Sequence, residues 1–188
     1  MRKITSFNFI TLNGFFKDAG NSISWHQHGG DAEAGEYAAQ GAQSGSVLLF
    51  GRITYQMMSS FWPTKQAMET MPEVAKGMNS SEKIVFSNTL KKADWNNTRI
   101  ISGDIIAEVK KLKQQPGNPM TILGSGSIVI QFSDAGLIDE YLIMLDPLAW
   151  VRALRSSMGL STNWNWSLPA QGTSKAGLFY YRTKENKA

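Results

Sequence analysis

Ser46-Val47-Leu48-Leu49-Phe50-Gly51-Arg52-Ile53-Thr54-Tyr55 decides the architecture of this chain. Val47 to Phe50 are apolar without interruption. Successive strand residues point to opposite faces, so an unbroken apolar run fits a strand covered on both sides, as in parallel sheets flanked by helices. Gly51 closes the run, and Ile53 to Phe61 then reads as a helix that stops before Pro63. A strand passing directly into a helix is the building unit of α/β folds.

The same alternation continues in both directions. On the N-terminal side, Lys3 to Leu12 reads as a strand that turns at Asn13-Gly14. Residues 15–32 are irregular, and Glu33 to Ser44 reads as a helix. On the C-terminal side, Pro72 opens a short helix through Met78. Ile84-Val85-Phe86 and Ile100-Ile101 mark strands within Glu82–Ser87 and Asn97–Ser102. Asp104 to Gln115 forms a helix: Ile105, Ile106, Val109 and Leu112 share a face, Asp104 caps it, and Pro116-Gly117 ends it. Met120–Leu123 is a strand, Ser127–Ala135 a helix and Leu137–Leu145 a strand. The expectation is one α/β domain over residues 1–188, with a mostly parallel central sheet between helices.

Bulk properties remove several function classes. The 188 residues contain no cysteine and two histidines, His26 and His28. Disulfides, thiolate catalysis and Cys-ligated or multi-His metal sites are therefore excluded. The formal charge of +4, from 19 basic and 15 acidic residues, favours anionic ligands mildly. It lacks the concentrated basic patch of a nucleic-acid binder. Lys110, Lys111 and Lys113 read as a solvated helix face. No apolar stretch is long enough to span a bilayer, and the alternating start does not resemble a signal peptide, so a cytoplasmic location is expected.

Ligands of open α/β sheets gather beyond the C-terminal strand ends. Three such ends carry small, hydroxyl or basic residues: Gly51-Arg52-Ile53-Thr54, Ser87-Asn88-Thr89 and Gly124-Ser125-Gly126-Ser127. The last suits a pyrophosphate held by main-chain N–H groups and by the Ser125 or Ser127 hydroxyl, and equally suits a tight strand–helix turn. Arg52 is placed to grip a phosphate bidentately, or to be a surface arginine beside a capped helix. Ser87 and Thr89 suit an adenosine end or an ordinary turn. In the front loop, Asn13-Gly14-Phe15-Phe16, Trp25, His26 and His28 are candidates for contact with a flat ring; as residue types, the histidines suit a proton donor or a solvated loop. Trp62-Pro63 either lines the cleft or covers the core. Asp31, Glu33 and Glu36 are candidate acids without distinguishing spacing, and Asp139-Glu140 opens a strand, where a buried carboxylate would orient a neighbour or simply serve a turn or sheet edge.

Five stretches in fixed order, Phe9–Gly14 (FITLNG), Leu48–Tyr55 (LLFGRITY), Val85–Leu90 (VFSNTL), Gly124–Ser127 (GSGS) and Gly136–Tyr141 (GLIDEY), carry a wider likeness. Across residues 2–147 the chain resembles the dihydrofolate-reductase-like family that includes the C-terminal reductase domain of the riboflavin-biosynthesis deaminase/reductase. Stand-alone bacterial members are the most similar. The resemblance implies a dihydrofolate-reductase-like fold with a C-terminal antiparallel edge, and NADPH lying across the sheet. It assigns Gly51, Arg52 and Thr54 to cofactor phosphate, with Arg52 at the adenosine 2′-phosphate, and Ser87 to the adenosine. It assigns Gly124, Ser125, Gly126 and Ser127 to the pyrophosphate, and Ile10, Leu12 and Gly14 to the nicotinamide border. The implied activity is hydride transfer to a small heterocycle, a ribosylaminopyrimidine or a pterin, by a homodimer without nucleic-acid or membrane partners. The alternative is a non-catalytic dinucleotide-binding protein. No proton donor aligns, and the catalytic residue stays unassigned.

After Asp146-Pro147 the family's glycine-rich turn is missing. The genetic code offers an account. Reading each codon from its third base forces glycine across Trp150-Val151 and permits Gly-Ala-Gly-Thr-Pro-Phe-Val-Asp-Gly through Gly159. It also forces Leu-Glu-Leu from Asn163-Trp164-Asn165-Trp166. Residues 150 to about 172 are therefore expected to be a frame-shifted segment; the other reading is a genuine loop.

Overall fold

In the computed structural model, residues 1–18, 22–23, 32–146, 166–173 and 179–185 are described, with backbone alone for 32–34 and the last two stretches. The elements in chain order are β1 (Ile4–Thr11), α1 (Ala32–Gln43), β2 (Val47–Gly51), α2 (Arg52–Phe61), α3 (Lys65–Thr70), α4 (Pro72–Ser80), β3 (Lys83–Phe86) and β4 (Thr98–Ile101), then α5 (Ile105–Gln114), β5 (Met120–Leu123), α6 (Gly126–Asp134), β6 (Glu140–Asp146), β7 (Trp166–Thr173) and β8 (Phe179–Glu185). They form one sheet in the order β4-β3-β2-β5-β1-β6-β8-β7. Strands β1 to β6 pair in parallel. β8 runs antiparallel to β6, and β7 antiparallel to β8.

All five residues of β2 are buried, as its apolar run requires. Its alternate side chains feed two cores. Val47 and Leu49 join Ile84, Ile122 and the α5 and α6 residues Val109, Leu112, Ile128, Val129 and Phe132. Leu48 and Phe50 join Val85, Trp95, Tyr55 of α2 and Met78 of α4 on the other face. α2 and α6 therefore pack on opposite faces although they follow neighbouring strands, β2 and β5. In open α/β sheets such a divergence is where the ligand crevice lies, here between the ends of β2 and β5.

Three expectations change. Lys113 does not lie on a solvated face: it is buried, and its ammonium donates to the Leu137 carbonyl at 2.7 Å and to the Asp139 carboxylate. Asp139 also accepts the Ile4 N–H at 2.8 Å, so this carboxylate anchors β1 at the end of the sheet away from the crevice. β6 begins at Glu140; Leu137 and Ile138 are core residues in the connection before it. α3 appears between Pro63 and Pro72, capped by Thr64, whose Oγ1 accepts the Ala67 N–H at 3.2 Å.

Lys83, fully buried at the start of β3, directs its ammonium to the carbonyls of Asn79, Ser81 and Asn96 at 2.7–3.2 Å, above the Trp95 ring. Burial lowers its pKa to about 8. Trp62 packs against the same core, and its indole N–H donates to the Met58 sulfur at 3.1 Å, so it covers the core. α1 and α4 pack so closely that a Cβ on Gly77 would lie 2.5 Å from the Ala42 carbonyl oxygen. Among the described residues, no helix is long and apolar enough to cross a membrane.

Candidate functional site

The crevice has two main walls. One is the turn from β2 into α2. Gly51 is the N-cap of α2, with an extended backbone and no side chain to offer the first turn. The N–H groups of Arg52, Ile53 and Thr54 therefore begin the helix without an intrahelical acceptor or a side-chain cap. The other wall is the turn from β5 into α6. The Gly124 N–H donates to the Phe7 carbonyl at 3.1 Å as the chain leaves the sheet. Gly124 and Ser125 then both take left-handed conformations, with φ of 57° and 59°. Glycine accepts this geometry without a Cβ penalty; serine rarely adopts it. Ser125 is the N-cap of α6, and its side chain makes no cap hydrogen bond to that helix.

The Ser125 side chain crosses to the opposite wall. Its Oγ accepts the Gly51 N–H at 3.0 Å and donates to the Leu123 carbonyl at 3.2 Å. Further contacts show how near the turns lie. A Cβ on Gly51 would sit 3.7 Å from Ser127 Oγ, and one on Gly124 would sit 3.6 Å from Thr54 Cγ2. Gly51, Thr54, Gly124, Ser125 and Ser127, chosen from sequence 70 or more positions apart, are thus brought together.

Electrostatics at this junction favour an anion. Neither α2 nor α6 has an acidic residue in its first turn. Each helix start carries roughly half a positive charge from its aligned peptide dipoles. Arg52, the first residue of α2, is exposed and adds a full charge; its Nη1 donates to Gln56 Oε1 at 3.0 Å. Main-chain N–H groups at such starts are ready donors to phosphate oxygens.

Ser87 lies one residue beyond Phe86, which pairs with Gly51, so it borders the α2 side. Its Oγ accepts the N–H groups of Thr89 and Leu90 at 3.2 and 3.0 Å, and its own N–H donates to the Ile101 carbonyl. The adjoining Asn88 Oδ1 accepts the Gly103 N–H at 2.8 Å. These bonds hold a ridge at the end of β3 and β4.

The β1 end supplies a third wall. Ile10 is partly buried, Leu12 is exposed, and Gly14 turns the chain with φ of 83°. Sequence reasoning missed one residue here. Thr11 is fully buried; its Oγ1 donates to Asn13 Oδ1 and accepts the Phe15 N–H, which builds the turn. Phe16 then returns to α6: a Cβ on Gly126 would lie 2.8 Å from Phe16 Cζ. The front loop therefore reaches the α6 start through Phe16. A hydroxyl at the end of a strand was the available signal for Thr11, and Phe16 was already among the front-loop candidates. Thr11 is also paired with buried Asp146 across β1 and β6.

Other candidates stand elsewhere. Glu36 is exposed on α1 and accepts a hydrogen bond from Gln40. Glu140 is buried beside Thr5, whose hydroxyl lies 3.4 Å from its carboxylate at the start of β6. Trp25, His26, His28, Asp31, the Glu33 side chain and residues 150–165 of the frame-shift expectation lie outside the described residues. Among the described residues, no cluster of three metal-ligating side chains occurs.

The RibD C-terminal domain family model matches residues 2–150. YyaP of Bacillus subtilis (strain 168), an uncharacterized protein, is 28% identical over 139 residues, covering 74% of this chain and 71% of the relative. A Shewanella sp. PV-4 protein assigned to riboflavin biosynthesis has a similar structure, with TM-score 0.75 and 18% identity, covering 98% of this chain and 99% of the other. A pyrimidine reductase-like protein from Corynebacterium diphtheriae gives 0.64 at 12% identity, covering 100% and 93%. Dihydrofolate reductase from Enterococcus faecalis, complexed with NADP(H) and RAB-propyl, gives 0.63 at 13% identity, covering 98% and 97%. At these identities the structures establish a shared dihydrofolate-reductase-like fold.

Proposed function

The chain belongs to the RibD C-terminal domain family, reductases of dihydrofolate-reductase-like fold, and we propose that it binds NADPH across the crevice and reduces a small heterocycle. Gly51, Thr54, Gly124, Gly126 and Ser127 would hold the pyrophosphate, with Ser125 contributing through its backbone because its hydroxyl is engaged within the protein. Arg52 would take the adenosine 2′-phosphate and Ser87 would border the adenosine. Ile10, Leu12 and Gly14 would border the nicotinamide. Bound there, the cofactor supplies the hydride. The protein's part is to hold the phosphates, to fix the ring against the β1 end, and to limit water with the front loop.

One observation carries this reading: two helix starts without side-chain caps meet at one crevice, joined by the Gly51–Ser125 hydrogen bond of 3.0 Å. Two converging positive ends suit a diphosphate better than a single phosphate. The relatives' names favour a pyrimidine or pterin as substrate, with a ribosylaminopyrimidine first. Residues 1–188 would form one domain that pairs with a second copy in the cytoplasm; sedimentation at increasing concentration tests the pairing.

The test has two stages. Fluorescence titration should give saturable NADPH binding. Loss of reduced-nicotinamide absorbance should then follow addition of one member of a panel of ribosylaminopyrimidines and dihydropterins. Binding with no turnover across the panel would favour the non-catalytic reading, and absence of binding would overturn the site.

A further inference from the structure

Ser125 combines features that an ordinary turn residue does not need. It is a non-glycine residue in the left-handed region, with φ of 59° and ψ of 55°, and only 6% of its surface is exposed. A glycine would take this backbone shape without strain. The serine retains a Cβ, and that Cβ carries an oxygen to the facing wall. There it meets the Gly51 N–H at 3.0 Å, while the hydroxyl proton is directed to the Leu123 carbonyl at 3.2 Å. Gly51 is the residue from which α2 starts, and it has no side chain of its own to fix that start.

We propose that Ser125 is a positioning residue that sets the gap between the α2 and α6 starts, so that one diphosphate can reach both. The inference rests on the crevice being the NADPH site. Both hydrogen-bonding capacities of the hydroxyl seen here are used inside the protein, so it acts through Gly51 and Leu123 and not as a phosphate ligand. A brace of this kind lowers the ordering cost of binding a ligand that spans both walls. A ligand confined to the α2 wall gains nothing from it.

That difference supplies the test. Ser125→Gly removes the brace together with the strained geometry, whereas Ser125→Ala removes the brace and keeps the Cβ. NADPH, which spans both walls, and adenosine 2′,5′-bisphosphate, which would use only the Arg52 and Ser87 side, are titrated into the wild type and both variants. Thermal midpoints are recorded alongside. The expected result is a loss of about tenfold in NADPH affinity in both variants, with bisphosphate affinity kept within about twofold. Ser125→Gly should unfold at or above the midpoint of Ser125→Ala. Unchanged NADPH affinity in Ser125→Gly overturns the proposal while leaving the site intact. Equal loss for both ligands, in step with stability, also overturns it by making Ser125 merely structural. A wild type that binds neither ligand overturns the site and this inference together.

Discussion

Arg52→Gln isolates the charge at the α2 start. Arg52 is exposed, and its hydrogen bond is to Gln56, one turn along the same helix. Surface helix contacts of this kind contribute a few tenths of a kcal/mol, so stability should change by less than about 0.5 kcal/mol. The effect on binding should be larger. A guanidinium–phosphate hydrogen bond contributes roughly 1.5–3 kcal/mol, which is about a 10- to 150-fold change in dissociation constant. NADH lacks the 2′-phosphate and should lose almost nothing. The assay is fluorescence titration of wild type and variant with both cofactors at two salt concentrations. Rising salt should shrink the wild-type preference for NADPH, because an exposed charge pair is screened. Equal weakening for NADPH and NADH would refute the assignment, since the charge would then not read the 2′-phosphate. So would an unaltered preference for NADPH.

Three further perturbations test other parts of the account. Gly77→Ala would force a Cβ to within 2.5 Å of the Ala42 carbonyl oxygen, and should lower stability by about 1–3 kcal/mol in urea unfolding. Gly41→Ala, with nothing within 4 Å, should raise stability by about 0.5–1 kcal/mol through helix propensity; equal effects from the two would contradict the α1–α4 packing. For Lys83, the folded pKa of about 8 lies below the ordinary 10.5, so the unfolded chain binds more protons between those values. Wild type should therefore gain stability relative to Lys83→Met as pH rises from about 8 to 10.5, measured by the urea midpoint; a flat difference would contradict the burial cost. Sequencing the gene across residues 150–172 should give codons compatible with the shifted glycine-rich pattern; the shifted threonine needs an Ala153 codon ending in A, and another third base there would contradict the pattern.

Local chemistry made much of the sheet legible. Met120–Leu123 stands at its expected bounds, because a short apolar run between Pro119 and Gly124 leaves little latitude. Val47–Phe50 declared burial on both faces before any partner was known. α3 was too short to show a helical period, although Thr64 after Pro63 carried the capping signal. Lys113 looked solvated beside Lys110 and Lys111, because its partner Asp139 lies 26 positions away. The crevice divides in the same way. Gly51-Arg52 and Gly124-Ser125-Gly126 were recognisable as turns at strand ends. That the Ser125 hydroxyl belongs to Gly51, 74 positions earlier, and that Phe16 rests on Gly126, depend on tertiary packing that no local pattern encodes.

The central claim is that both helix starts serve one dinucleotide. Amide-resolved NMR of the isotopically labelled protein, titrated with NADPH, examines both walls at once. The account predicts saturable shifts at Gly51–Thr54 and at Gly124–Ser127 with a single shared dissociation constant. Shifts confined to one of these turns, or two turns that saturate at different concentrations, would contradict it.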